Sequence, residues 1–340
     1  MLRGKGVPLE LTTVSDDSAV LHDGVRVVRL DDLQPASPHT VGGLRFTTLE
    51  RPPGDRLATV VTVNDVHFGE QECGRLTGLD LGPILRSPPG APPYPMMMNA
   101  AAANEMAAVS PHLVVAKGDI TSAGRSDEYE LFEACYRPVF GDRLVVTRGN
   151  HDHPAHGPAF DCPPVMEIPV PGAVVAILDT SAPGVGGGRL SADQLEWLDE
   201  LGARAGAPVL VFAHHPCWEE GARDWVDRSS AINAEGSARL VEVVSRRPAI
   251  AGYFAGHTHR NRVRRFQATG AVPFAEVAST KDFPGAWAEY RIFEGGILQV
   301  IHRTSTPEAL DWSERCRDLF AGLYPRYAMG RMEDRCLRVC

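Results

Sequence analysis

Leu57-Ala58-Thr59-Val60-Val61-Thr62-Val63-Asn64-Asp65-Val66-His67-Phe68-Gly69 is the stretch on which the fold turns. Residues 57–63 are all apolar or β-branched, the composition of a strand buried on both faces. The apolar run stops at Asn64, and a carboxylate, an imidazole and a glycine follow. A buried strand that ends on metal-ligating residue types fits an α/β sheet, where ligands bind outside the carboxyl ends of the strands.

The pattern recurs along the chain. Residues 113–116 lead into Gly118-Asp119, residues 143–147 into Gly149-Asn150-His151-Asp152, residues 209–212 into His214-His215-Pro216, and residues 250–254 into Gly256-His257-Thr258-His259. Between these runs lie an Ala-rich helical segment at 96–109, a second at 127–136, a strand at 174–178, and a helix opening at Ser191. There Gln194, three residues on, completes a capping box. Residues 274–302 read as closing strands. Strands alternating with helices predict an α/β fold, with five loops that open on one side. Gly118, Gly149 and Gly256 each precede a candidate ligand, where glycine permits a sharp turn and close approach of the backbone.

The residue types suit divalent cations. Asp65 and His67 are two apart, as are His257 and His259, so each pair can reach one ion if its loop turns. Asp119 has two oxygens and can bridge two ions, and Asn150 offers a neutral carbonyl oxygen. A mixed N/O set without thiolate suits Mn, Fe, Zn or Co better than Ca or Mg.

Bulk composition narrows the field. Lys and Arg number 34 against 43 Asp and Glu, a net charge of −9, which argues against general affinity for nucleic acid or an anionic membrane. Lysine occurs only at 5, 117 and 281. Seven scattered cysteines without a CxxC pair read as free thiols in a reducing compartment. Residues 1–20 have no continuous apolar core and do not read as a secretory signal, and no apolar run reaches the ~20 residues that span a bilayer. A cytoplasmic location is the expectation.

The series Asp-x-His, Gly-Asp, Gly-Asn-His-Asp, His-x-Pro and Gly-His-x-His resembles the calcineurin-like metallophosphoesterases, over roughly residues 57–300. The resemblance implies a four-layer αββα sandwich of two mixed β-sheets flanked by helices. Residues 1–55 are expected as a β-rich N-terminal appendage and linker, 56–306 as the catalytic domain, and 307–340 as a C-terminal helical tail. Carried over by position, Asp65, His67, Asp119 and His259 would hold one metal ion, and Asp119, Asn150, His214 and His257 the other. His151 would be the catalytic histidine, with Asp152 orienting it. His214 is preferred to His215 because it stands two before Pro216; the other histidine would be packed nearby. Asn64 stands where the family often has serine, and His112 where a Pro-Asp pair usually ends. Neither is a ligand position.

The implied chemistry is phosphate-ester hydrolysis by a hydroxide shared between two divalent ions (Mn, Fe or Zn), with His151 protonating the leaving group. The order of motifs resembles class III cyclic-nucleotide phosphodiesterases and bacterial glycerophosphodiesterases, which implies a small phosphodiester substrate. Three alternatives stay open. Residues 30–49 resemble the last strands of the fibronectin type III-like module that precedes purple acid phosphatases, so a phosphomonoesterase is one. The Asp65-to-Gly69 block also resembles the opening motif of recombination nucleases. The third is a catalytically idle interaction module on the same fold. Residues 70–95 read either as a loop shaping the substrate site or as a disordered segment. The tail, with a helix expected over 308–323 and polar Arg-rich sequence after it, reads as a cap over the site or a homodimer contact.

Overall fold

The computed structural model describes residues 9–75, 80–218 and 229–340. It opens with β1 (Glu10–Val14), β2 (Ala19–Asp23) and β3 (Arg26–Leu30) in an antiparallel sheet, then a hairpin of β4 (Pro38–Val41) and β5 (Leu44–Thr47). There follow β6 (Arg56–Val63), β7 (Leu113–Lys117), β8 (Leu144–Thr147), β9 (Val165–Val170), β10 (Ala173–Leu178) and β11 (Val209–Ala213). The series continues with β12 (Ile250–Ala255), β13 (Arg262–Arg264), β14 (Phe274–Glu276), β15 (Ala286–Phe293), β16 (Gly296–Arg303) and β17 (Leu337–Arg338).

Two six-stranded sheets result, in the orders β17-β16-β15-β6-β7-β8 and β13-β14-β12-β11-β10-β9. In the first, β6, β7 and β8 are parallel and β15 runs antiparallel to β6. In the second, β10, β11, β12 and β14 are parallel, with antiparallel β9 and β13 at the edges. Both are mixed, as expected.

The period of two along each strand builds the layers. Ala58 and Val60 of β6, Val115 of β7, Val175 and Ile177 of β10 and Leu210 and Phe212 of β11 fill the space between the sheets. Their neighbours Val61, Val63, Val114 and Ala116 face outward under helices Tyr94–Ala108 and Ser126–Phe140. On the other sheet Ala176, Leu178, Val209 and Val211 meet helices Ala192–Arg204 and Ala234–Arg246. The first of these helices is capped by Ser191, with the Gln194 box formed. The order helix, sheet, sheet, helix is the αββα sandwich.

The N-terminal strands are not held at a distance. Thr13 Oγ1 donates to the Ile301 carbonyl at 2.8 Å, and Arg291 donates to Asp16 at 2.7 Å. Within the expected β-rich segment, β3 and β5 are continuous β-prone runs, whereas β1, β2 and β4 carry Glu10, His22, Asp23, Pro38 and His39, which interrupt the strand signal.

The tail differs from expectation. Its helix is Pro307–Arg315, not 308–323. Phe320 and Ala321 adopt φ of 52° and 56°, incompatible with a continuing α-helix. The Arg-rich end is packed: Arg335 is buried and donates to the carbonyls of Met329, Gly330 and Leu11. Among the described residues no helix is long and apolar enough to cross a membrane. Residues 76–79 of the 70–95 segment lie outside the described residues. Residues 73–75 and 80–85 pack against the tail, with Ala321 N donating to the Leu81 carbonyl at 2.5 Å.

Between the sheets Phe254 meets Phe212 and Tyr290 at ring-centroid distances of 5.4 and 4.7 Å. Phe254→Ala should lower unfolding free energy by about 3–5 kcal/mol, read from urea denaturation; a loss below about 1 kcal/mol would show that this junction of the sheets is not tightly packed.

Candidate metal centre

Each polar block sits just past a strand. Asp65 follows β6, Asp119 follows β7, Asn150 and His151 follow β8, His214 follows β11, and His257 and His259 follow β12. Because these strands run parallel within each sheet, the blocks collect at one edge of the sandwich. The backbone turns hard there. Asp65, His67, Asp119, His257 and His259 have φ of 52°, 45°, 49°, 67° and 54°. Left-handed backbone in non-glycine residues costs about 1–3 kcal/mol each and collects at functional sites.

Hydrogen bonds between loops hold this backbone. Asp65 N donates to the Gly118 carbonyl at 3.1 Å, and Val66 N and His67 N both donate to the Asp119 carbonyl at 3.0 Å. His257 N donates to Asp65 Oδ2 at 2.9 Å, and His151 N to Asp119 Oδ1 at 2.9 Å. Glycine is required where chains crowd: a Cβ at Gly149 would lie 2.2 Å from Asp119 Oδ1 and 2.4 Å from its backbone nitrogen.

The side chains converge. His67 Nε2 is 3.6 Å and His214 Nε2 3.3 Å from Asp119 Oδ2. His259 Nε2 is 3.4 Å from Asp65 Oδ1, and His257 Nδ1 is 3.1 Å from His214 Nε2. The ligand atoms of Asp65, His67 and His259 lie within 4.8 Å of one another, as do those of Asp65, Asp119 and His214. Asp65 Oδ1, His67 Nε2 and Asn150 Oδ1 are buried and find no hydrogen-bond partner among the described residues. Buried polar atoms are nearly always satisfied, so the orphaned Asp65 Oδ1 and His67 Nε2 inside one nitrogen-and-oxygen cluster fit a metal site, with Asn150 orphaned on the adjacent loop.

The electrostatics agree. Burial alone would raise the carboxyls of Asp65 and Asp119, but the rings of His259 and His214 outweigh it and hold both below the usual carboxylate range. Burial opposes protonation of those rings, yet Asp119 lifts His214 to about 9 and Asp65 lifts His259 to about 10. His67 is pushed well below its ordinary value by burial and by His151, and His257 to about 3 by burial and His214. The two carboxylates draw positive charge into the cluster, a demand that divalent cations would meet.

His214 meets Asp119, whereas His215 turns its Nδ1 to Thr180 Oγ1 at 2.9 Å. His215 still lies within 4.8 Å of His214 and His257, ligand atom to ligand atom. His151 is exposed, and its Nδ1 contacts the Ser122 carbonyl at 2.6 Å. Asp119 beside it raises the His151 pKa, and that carbonyl contact adds to the rise against the effect of burial.

Asp152 does something other than expected. Its carboxylate accepts from Gly149 N at 2.8 Å, Ile120 N at 3.0 Å, and Thr121 N and Oγ1 at 2.7 Å. It clamps the Asp119 loop to the Asn150 loop, and the Ser122 carbonyl is what orients the His151 ring. Arg148 pairs with Asp179 at 2.5 Å. His153 leans on Ser181 Oγ at 3.0 Å, His156 is exposed, and Cys217 is buried.

Some contributors were missed in the sequence. Asn64 Nδ2 donates to Asp65 Oδ2 at 2.6 Å and to the Val277 carbonyl at 3.0 Å. Lys117 Nζ donates to the Ala255 carbonyl at 3.0 Å, tying the two sheets, and burial pulls its pKa down to about 7 against the pull of Asp65. A lysine inside an apolar run just before Gly118 was the available signal.

A model of the family described as calcineurin-like phosphoesterase matches residues 58–261. The chain belongs to that family. This phosphoesterase is 26% identical over 210 residues to a probable cyclic nucleotide phosphodiesterase of a Synechococcus strain, covering 58% of this chain and 78% of the relative. It is 30% identical over 178 residues to a glycerophosphodiester phosphodiesterase of Enterobacter lignolyticus, covering 48% of this chain and 61% of that one. Among solved structures, a dimetal phosphatase from Danio rerio superposes with a TM-score of 0.57 at 15% identity, covering 74% of this chain and 98% of that chain. A purple acid phosphatase from yellow lupin gives 0.50 at 14% identity, over 85% of this chain and 57% of that one. At such identities these structures bear on the fold alone.

Gly149→Ala should displace Asp119 and strip metal from the purified phosphoesterase while leaving the far-ultraviolet circular dichroism unchanged. Metal content by inductively coupled plasma mass spectrometry checks it; wild-type loading would show that the loop absorbs the extra methyl group.

Proposed function

We propose that this phosphoesterase hydrolyses a small phosphodiester, of cyclic-nucleotide or glycerophosphodiester type, at a binuclear metal centre. The observation that carries the reading is the convergence of Asp65, His67, Asp119, His214, His257 and His259, with orphaned ligand atoms among them, Asn150 on the adjoining loop and an exposed histidine alongside. Asp65, His67, Asp119 and His259 would hold one ion, and Asp119, Asn150, His214 and His257 the other, with Asp119 shared. Divalent ions there (Mn, Fe or Zn) would supply the charge that acidifies a water and neutralises phosphate oxygens.

The chain's own residues do the rest. His151 Nδ1 donates its proton to the Ser122 carbonyl, which leaves Nε2 as the nitrogen free to take up and give the transferred proton. Asp119 and the Ser122 carbonyl both raise its pKa, and a proton on Nε2 is what a general acid for the leaving alkoxide requires. Asp152 keeps the two loops that carry Asp119 and His151 in register. Asn64 takes the second oxygen of Asp65, so that Oδ1 alone faces the cluster.

Two observations favour a diester over a monoester. Both relatives described above bear phosphodiesterase names. Asp119 is followed by Ile120, Thr121 and Ser122, with no tyrosine to give the iron–phenolate contact of purple acid phosphatases. Residues 56–306 are taken as the catalytic unit, with 1–55 and 307–340 packed on it. Seven cysteines without a disulfide support a reducing, cytoplasmic setting.

With Mn²⁺ the protein should cleave bis(p-nitrophenyl) phosphate, and cyclic AMP or a glycerophosphodiester, faster than p-nitrophenyl phosphate. Chelation should abolish turnover and metal should restore it. No turnover with any divalent metal would sink the enzyme reading, and a preference for single-stranded DNA would move it to the nucleases. His151→Ala should lose about 10²–10⁴-fold in kcat on diesters with alkoxide leaving groups, and much less with p-nitrophenolate. Equal losses on both would remove the general-acid role.

A further inference from the structure

A line of buried side chains runs from the C-terminal segment into the candidate metal centre. It starts at Tyr324, in the short helix Tyr324–Ala328, whose hydroxyl donates to Asp282 Oδ1 at 2.7 Å. The other oxygen, Asp282 Oδ2, lies 3.4 Å from His259 Nδ1 and 3.1 Å from Lys281 Nζ. Across the same ring, His259 Nε2 faces Asp65 Oδ1 at 3.4 Å. Lys281 continues to Glu70 Oε2 at 2.7 Å, in the loop just after His67. Residues 281, 282 and 324 all lie outside the 58–261 stretch that the family model matches.

We infer that Asp282, braced by Tyr324, is a positioning residue for His259, and that the segment after residue 306 is a working part of the metal centre. This rests on the binuclear reading above. An imidazole can offer a lone pair on Nε2 only if its ring proton sits on Nδ1, and a carboxylate at Nδ1 fixes that tautomer and ring plane. A carboxylate can do so only if it cannot swing away. Asp282 is saturated by the Tyr324 hydroxyl, the Lys281 ammonium and the His259 ring. Its backbone neighbourhood is pinned as well, since Trp312 Nε1 donates to the Lys281 carbonyl at 3.0 Å.

The same segment grips the loop of His257 and His259 from below. Tyr327 donates to the Thr258 carbonyl at 2.8 Å, and Asn261 N to the Ala328 carbonyl at 2.9 Å. Gly330 comes so close to this loop that a Cβ there would lie 2.2 Å from the Asn261 carbonyl oxygen. The tail therefore reaches the ligand histidine through both its side chain and its backbone.

The test uses the full chain, stripped of metal and titrated with Co²⁺ while the visible absorption is followed, for wild type, Asp282→Asn, Tyr324→Phe and Asn150→Ala. Wild type should bind two ions. Asn150→Ala identifies the spectral step of the ion it ligates. Asp282→Asn should weaken the other step by about 10–100-fold, the range for loss of a partner that orients a ligand, and Tyr324→Phe should weaken that step by less. Wild type that fails to take up two ions would overturn the binuclear reading, and this inference with it, before any variant is compared. If wild type binds two ions but Asp282→Asn and Tyr324→Phe both bind as wild type, or weaken both steps equally, the positioning role alone is overturned. Tyr324→Phe removes a single oxygen atom, so it keeps the test valid if Asp282→Asn folds poorly.

Discussion

Two carboxylates, Asp65 and Asp119, are buried with their ligand atoms within 4.8 Å of each other and of His214, and the rest of the site is arranged around that repulsion. Two like charges with almost no contact to water are unfavourable unless positive charge enters between them. The surrounding rings answer in part, which is why His214 and His259 hold protons well above their ordinary pKa. The same requirement explains the backbone. An extended exit from each strand would carry the next side chain past the sheet edge, whereas left-handed φ at Asp65, Asp119, His257 and His259 turns each chain sharply there. The strain at these residues is held by the backbone hydrogen bonds that cross between loops.

The centre belongs to neither sheet alone. The first sheet carries Asp65, Asp119, Asn150 and His151, and the second carries His214, His257 and His259. Ligand geometry therefore depends on the relative placement of two sheets that share no strand. Aromatic packing of Phe212, Phe254 and Tyr290 fixes their separation in the middle. At the site edge Lys117 reaches across to the Ala255 carbonyl, and Asn64 to the Val277 carbonyl. Burying an ammonium that far from water is unfavourable, as its depressed pKa reports. It holds β7 to β12 immediately below Asp119 and His257, where a shift of the sheets would separate ligands.

What could be read in the sequence was local. A β-branched run ending in Asp-x-His or Gly-His-x-His states both the strand and the ligands, because the strand, the turn and the side chain are consecutive. Ser191 and Gln194 likewise state a helix start within four residues. What escaped reading was carried over long separations or by groups common to every residue. The Ser122 carbonyl that orients His151 has no sequence signature. Asp152 was assigned to its neighbour in sequence, but its oxygens go to amides of residues 120, 121 and 149. The polar, Arg-rich end of the tail gave no sign that Arg335 is buried among carbonyls, nor the expected helix over 308–323 that Arg317 pairs with Glu10 and Glu314. Charge composition cannot distinguish these cases, since only the fold brings the partners.

The flanks of the centre are built by different rules. On the His151 side the ring is exposed, and the neighbouring His156 is exposed too. On the proposed reading, that flank is where an ester would approach His151. On the His259 side the loop after His67 and the tail close together through Glu70, Lys281, Asp282 and Tyr324, and residues 73–75 and 80–85 pack against that tail rather than over the cluster. The segment expected to shape the substrate is in this part a wall that braces a ligand. On the same reading, sequence changes along that wall would act through the plane and tautomer of His259, and changes between residues 151 and 157 on the substrate side. Substrate preference and metal affinity could then vary separately on one scaffold, because the proposal sets them at opposite flanks.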